Sequence, residues 1–164
     1  MRRTTLLGAG ALALGALVAA GLGLRRAGLE PVLVAGGSMR PTLDPGHRIA
    51  VAPLLRPPAR GDLVVLRSPR HLEVVKRVVG LPGERVRLSG GRLEVDGQAV
   101  PEPYLAGPTS GGELDLQLGP AEYLVLGDHR AASTDGRDFG PVGADALVGR
   151  VRFAYWPPRR LRRG

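Results

Sequence analysis

The chain of 164 residues has no cysteine and no asparagine, and only one lysine among its 23 basic residues. Without cysteine there is no disulfide, no thiol nucleophile and no thiolate-ligated metal. Aromatics make up only 4% of the chain, and none of the segments is the aromatic-rich strand on which nucleic-acid bases stack. Acidic residues are missing from both ends: residues 1–26 and 157–164 each hold four arginines and no Asp or Glu. The stretch 27–156 balances 15 basic against 15 acidic residues, so the two ends carry the whole net charge of +8. A neutral body with two basic ends is a poor nucleic-acid binder, and no nucleic-acid partner is expected. The missing asparagine and the excess of arginine fit either a GC-rich coding sequence or heat adaptation. What is present is a 43% apolar content with 25 Gly and 15 Pro, which suits one many-turned β domain with a core.

Behind a short tail, residues 1–5, an apolar run extends over residues 6–24 without a charge. Nineteen residues of helix reach about 28 Å, close to the ~30 Å hydrocarbon core of a bilayer. One reading is a transmembrane anchor stopped by Arg25 and Arg26. The other is a cleavable export signal, since Arg2 and Arg3 before an apolar run resemble a twin-arginine signal. The run exceeds a usual signal core of about 7–15 residues, which favours the anchor. The flanking charges place the N-terminus inside and the body outside.

Beyond residue 30 the pattern predicts strands: His47–Pro53, Asp62–Arg67, Leu72–Val79, Glu84–Ser89, Arg92–Val95, Glu122–Leu126 and Leu147–Trp156. Gly90-Gly91 and Asp96-Gly97 mark tight turns. Residues 102–121, with Gly107-Pro108 and Gly111-Gly112, read as loop. The expected fold is all-β, a mostly antiparallel, barrel-like domain behind one N-terminal transmembrane helix. Alternation along the last strand sets Phe153 and Tyr155 on one face and Trp156 on the other, one face for the core and one free to rest, with the arginine tail, on a membrane.

Five serines are present. Ser68, Ser89 and Ser110 lie beside Pro or Gly and read as turn formers. Ser38 follows Gly36-Gly37, where small residues let the backbone approach a substrate and aim N–H groups at an oxyanion. The same tripeptide is also a common loop. A serine nucleophile needs a base. Asp128-His129 suggests a triad, but neighbours on an extended strand point to opposite faces. His47 reads as a turn residue and His71 as solvated, and the three histidines show no metal-ligand spacing. The remaining base is a neutral lysine, which must be desolvated to lose its proton. Lys76 shares a strand face with Val74 and Val78. The competing reading is an edge-strand lysine guarding against aggregation. Arginine cannot be deprotonated in a protein, so a chain that uses arginine at every other basic position still needs lysine for a base. A third cluster, Leu126–Val142, alternates opposite charges. It reads either as a solvated loop or as a structured brace beside a site.

These segments together resemble bacterial type I signal peptidases, membrane-bound Ser-Lys endopeptidases. Four boxes carry the resemblance: Gly37–Leu43, Arg60–Val65, Lys76–Gly83 and Gly127–Val142, in family order behind an N-terminal anchor. The resemblance implies Ser38 as nucleophile, Lys76 as general base and Ser133 as the hydroxyl that orients the lysine amine. Asp128, Asp135, Arg137 and Arg77 match charged residues that hold the last box in shape. Gly36 stands where some members carry an oxyanion-hole serine, so a backbone donor is implied there beside the Ser38 N–H. Val34, Met39, Leu43 and Val75 match pocket walls that select Ala-X-Ala, or are ordinary core. The chain departs from the family at His129, Ala131, Ala132 and Gly136, none of them an expected proton-transfer residue. The implied organisation is a protease domain over 32–156, with a short cap-like insert near 85–121 and a basic tail over 157–164. The implied partners are signal peptides of exported preproteins and membrane lipids, with no cofactor or metal, and the implied place is the outer face of the plasma membrane. Two alternatives stay open: a self-cleaving repressor-type Ser-Lys protease, and a non-catalytic anchored or secreted β-domain that only binds.

Overall fold

The computed structural model describes residues 4–70, 72–106, 112–159 and 161, with side chains from Leu14 onward except Arg159. Arg2, Arg3, His71, Gly107, Pro108, Ser110, Gly111, Arg160 and residues 162–164 of the basic tail lie outside the described residues.

A helix, α1, spans Thr4–Arg26 and covers the apolar run. Among the described residues no helix is long and apolar enough to cross a membrane. The expected transmembrane helix is therefore not established by the fold.

The rest is mostly antiparallel β structure. Strands β1 (Glu30–Leu33), β2 (Arg48–Ala52), β3 (Leu63–Arg67), β4 (Glu73–Gly80), β9 (Glu122–Leu126), β10 (Val142–Gly143), β11 (Leu147–Trp156) and β12 (Pro158–Arg159) form one curled sheet, a half-barrel. Its order is β1-β2-β11-β3-β4-β9-β10, with β12 paired to β11. Strands β5 (Arg85–Ser89), β6 (Arg92–Val95), β7 (Gln98–Ala99) and β8 (Leu114–Gln117) form a second sheet, ordered β7-β6-β5-β8. β8 falls inside the stretch read as loop. Its alternation Leu114, Asp115, Leu116, Gln117 is too short to stand out beside so many glycines, and it is fixed by pairing with β5.

Burial explains the apolar runs. On β3, Leu63 and Val65 enter a core cluster with Met39, Leu43, Ile49 and Val151, while Val64 and Leu66 enter another with Val78, Tyr123 and Val125. A strand covered on both faces reads as continuously apolar. On β5 and β6 only alternate residues, Val86, Leu88, Leu93 and Val95, are buried, against Val79, Leu118, Leu124 and Leu126. That cluster joins the two sheets.

β11 departs from simple alternation. Its pairing with β2 shifts register between Val151 and Phe153 and again between Ala154 and Trp156. These bulges break the alternation, and Phe153 and Trp156, which strict alternation would set on opposite faces, are both exposed. The basic tail is partly tied down: β12 pairs with β11, and Leu161 packs against the first core cluster.

Candidate active site

Ser38 sits in the turn between β1 and β2, half-buried, after exposed Gly36. Its carbonyl accepts the His129 N–H at 3.0 Å, which binds the first box to the last. Met39 is buried just after it. Lys76 lies in the middle of β4 and is 2% exposed. Its amine donates to Ser133 Oγ at 2.9 Å. Burial pushes the Lys76 amine below its ordinary value, and Arg137 adds to this, while Asp135, Asp138 and Asp128 pull the other way. Lys76 is thus desolvated, and its partner across the strand pair is another apolar residue, Val64 on β3.

Gly127 brings the pieces together. A Cβ built there would overlap Ser133 Oγ, lie 2.5 Å from Ser133 Cβ and sit 2.6 Å from the Ser38 carbonyl oxygen. Only glycine permits this close approach of the two serines' segments.

The charged cluster is a buried brace. Arg77 is fully buried beside Lys76, and its guanidinium grips Asp128 with Nε–Oδ1 at 2.8 Å and Nη2–Oδ2 at 2.6 Å. It also donates to the Gly61 carbonyl at 2.8 Å, while Thr42 Oγ1 donates to Asp128 at 2.5 Å. One side chain of the third box therefore holds residues of the other three. Such a fully satisfied buried ion pair costs several kcal/mol to break on one side only. Asp128 is thereby engaged by Arg77 and Thr42, and among the described residues no Ser-His-Asp triad forms.

Asp135 is the second anchor. It accepts the Gly127 N–H at 2.8 Å and the Arg137 Nε–H at 2.9 Å. It also caps α2 (Gly136–Phe139), with Asp138 returning a bond to the Asp135 N–H. Burial pushes its carboxyl up, but the bonds from Arg137, Gly127 and Ser133 outweigh this and hold it below the usual range. Gly136, where the family resemblance expects serine, packs flat on β9: a Cβ would lie 2.6 Å from Leu124 Cδ1 and 2.8 Å from the Val125 oxygen.

A groove opens beside Ser38. It has a volume of about 150 Å³, and Val34, Met39 and Val75 line it with Val32, Val65 and Glu73. Leu43 does not line it but lies fully buried in the core beneath. β9 pairs with β4 only from Arg77 to Gly80. Among the described residues no strand covers the same edge of residues 73–76.

Residues 7–156 match the family described as "Signal peptidase, peptidase S26". The chain belongs to this family. It is 34% identical over 165 residues to the signal peptidase I of Leptolyngbya laminosa, covering 90% of this chain and 79% of that one. It is 38% identical over 143 residues to the signal peptidase I of Bacillus caldolyticus, covering 76% of this chain and 78% of that one. The crystal structure of a signal peptidase I from Enterococcus faecalis superposes with a TM-score of 0.55 at 30% identity, over 59% of this chain and 98% of that one. Signal peptidase kinship explains why four distant boxes meet at one place.

Sequence reading missed three residues of this site: Glu102, Tyr104 and Arg130. Arg130 is buried, bonds the Gly127 carbonyl at 3.1 Å and pairs with Glu102. The segment Pro101-Glu102-Pro103-Tyr104 carried the one available signal, an aromatic directly after a pair of prolines at the start of a stretch read as loop.

Proposed function

We propose that the chain is a membrane-anchored serine endopeptidase that removes signal peptides from exported preproteins after small residues. Ser38 is the nucleophile and Lys76 the general base. The observation that carries this reading is the single lysine, buried, lowered in pKa and bonded to Ser133 beside Ser38.

Neutral Lys76 takes the proton of the Ser38 hydroxyl as its oxygen attacks the carbonyl after the residue ending the signal peptide. The Ser38 N–H and the backbone at Gly36 stabilise the oxyanion, where loss of one donor typically costs about 2.7–4 kcal/mol of barrier. Protonated Lys76 then gives its proton to the leaving amine, and the neutral amine next activates the water that releases the acyl group. Ser133 orients the amine, and Arg77, Asp128, Asp135 and Arg137 hold the loop that carries Ser133. The substrate lies extended along the uncovered edge of residues 73–76, where main-chain bonds give affinity and side-chain pockets give specificity. Val34, Met39 and Val75 shape a shallow apolar wall suited to Ala-X-Ala.

The protease domain is assigned to 32–156, with residues 85–121 as a cap and 157–164 as a basic tail. Residues 6–24 anchor it as one membrane span, on the strength of their length and lack of charge, with the body on the outer face of the plasma membrane. Anionic lipid attracts the arginine tail by about 1 kcal/mol per arginine near the surface.

The test is cleavage of a preprotein by the full chain and by Ser38→Ala, Lys76→Ala and Lys76→Arg. All three are expected to be inactive, the last because charge is kept and the base is lost. Full cleavage by any of them refutes the assignment.

A further inference from the structure

Arg77 and Arg130 are two buried guanidiniums, and two buried carboxylates, Asp128 and Glu102, face them. What completes the cluster comes from outside the four boxes. Tyr104, 3% exposed, lies with its ring 3.8 Å beneath the Arg77 guanidinium. Its hydroxyl donates to Glu102 Oε1 at 2.5 Å. Glu102 in turn holds Arg130 through both oxygens, one of them at 3.1 Å. Arg130 Nε donates to the Gly127 carbonyl. The connection is continuous: Tyr104 and Glu102 to Arg130, Arg130 to Gly127, and Gly127 to the contact between Ser38 and Ser133.

We propose that Glu102 and Tyr104 are positioning residues for Lys76. They clamp Arg77 from one face and Arg130 from its tip, and so fix the 127–133 loop that keeps Ser133 on the lysine amine and water away from it. The ring gives Arg77 an apolar, electron-rich face for a cation already bonded at its edge. Burial, with Glu102 next to it, pushes the Tyr104 hydroxyl upward, so it remains a donor across the working range. Loosening this clamp lets the 127–133 loop drift, admits water to the amine and relieves the desolvation that favours its neutral form. The consequence for turnover rests on the Ser38–Lys76 reading; the consequence for the amine does not.

The lone lysine makes the test direct. Trace acetylation with acetic anhydride at a series of pH values, read by mass spectrometry on the full chain in detergent, titrates Lys76, with the Met1 amine on a separate peptide. Tyr104→Met keeps a long, flexible apolar side chain, somewhat smaller than the ring, and loses the aromatic face. It is expected to raise the Lys76 midpoint by at least one pH unit and to lower kcat at least 30-fold on a signal-peptide substrate, with KM changed less than threefold. Glu102→Gln is expected to move both quantities in the same direction. Tyr104→Phe, which keeps the ring, is expected to restore both to within threefold and half a pH unit of the parent. An unmoved midpoint in folded Tyr104→Met overturns the proposal. Loss of the folded circular dichroism signal in both Tyr104→Met and Glu102→Gln also overturns it, since the cluster then serves stability alone. If Ser38→Ala still cleaves while the midpoint moves in Tyr104→Met, the serine assignment fails and the clamp stands.

Discussion

Gly127→Ala tests how tightly the site is assembled. Gly127 has no positive φ, so alanine adds no backbone penalty, and the whole effect is one methyl group. That methyl would overlap Ser133 Oγ and stand 2.5 Å from Ser133 Cβ and 2.6 Å from the Ser38 carbonyl oxygen. Carbon atoms pack at about 3.5–4.0 Å, so the two segments must part by roughly 1 Å. The Ser38 carbonyl is also bonded to the His129 N–H and Gly127 N–H to Asp135, which leaves little slack on either side. Overpacking of this kind costs about 1–3 kcal/mol. For a chain of this size that lowers Tm by about 2–12 °C. Function suffers more. A displacement of about 1 Å between reacting groups costs on the order of 100-fold, so kcat on a signal-peptide substrate is expected to fall about that much while the protein remains folded at 25 °C. Stopped assays of the purified chain beside a thermal melt measure both. Activity within threefold of the parent, with a normal melt, would show that Ser38 and Ser133 need not approach through Gly127, and the geometry proposed for catalysis would be wrong.

Lys76→Met is expected to abolish cleavage yet raise stability. The folded pKa of Lys76 lies below 10.5, so between that value and 10.5 the unfolded chain holds the extra proton and stability of the parent rises with pH. Below the folded pKa the full burial penalty persists, about 1.4 kcal/mol per pH unit of depression. The gain from Lys76→Met in denaturant melts should therefore be largest at low pH and shrink toward pH 10.5; a pH-independent gain refutes the cause. Asp128→Asn leaves Arg77 buried without its counter-charge and is expected to cost about 3–5 kcal/mol, seen as a lower denaturant midpoint; a change below 1 kcal/mol contradicts the role given to this pair. Gly136→Ser, which installs the residue the family resemblance expects, should destabilise by about 1–3 kcal/mol, because its Cβ meets the Val125 oxygen and Leu124. An unchanged melting temperature would mean that β9 and α2 separate easily.

The strands that sequence patterning revealed are those whose two faces differ or whose both faces are buried. Leu147–Trp156 and Glu122–Leu126 have the expected limits. β7, β10 and β12 have two residues each, too few for any period to register. β1 holds Pro31 and reads as edge or loop until its pairing with β2 is seen. At the site, Lys76 was legible because its residue type is unique in the chain, and Ser38 because of the glycines before it. Arg77 gave its position but not its reach: no local pattern tells that one guanidinium meets Thr42, Gly61 and Asp128. Glu102, Tyr104 and Arg130 were illegible for the same reason. A buried ion pair formed across 28 positions leaves no periodic trace, and alternating charges look alike whether they face water or each other.

The strand order has one further effect. β11 lies between β2 and β3, and it follows both by some eighty residues or more. During synthesis β2 and β3 leave the ribosome without the neighbour that joins them, and long-range pairing of this kind forms slowly and late. The half-barrel closes only after residues 147–156 emerge, well after Ser38 and Lys76 have done so. A chain in mid-translation therefore holds Ser38 and Lys76 on unjoined pieces. On the proposed reading, the order of emergence delays assembly of the site until the chain is nearly finished.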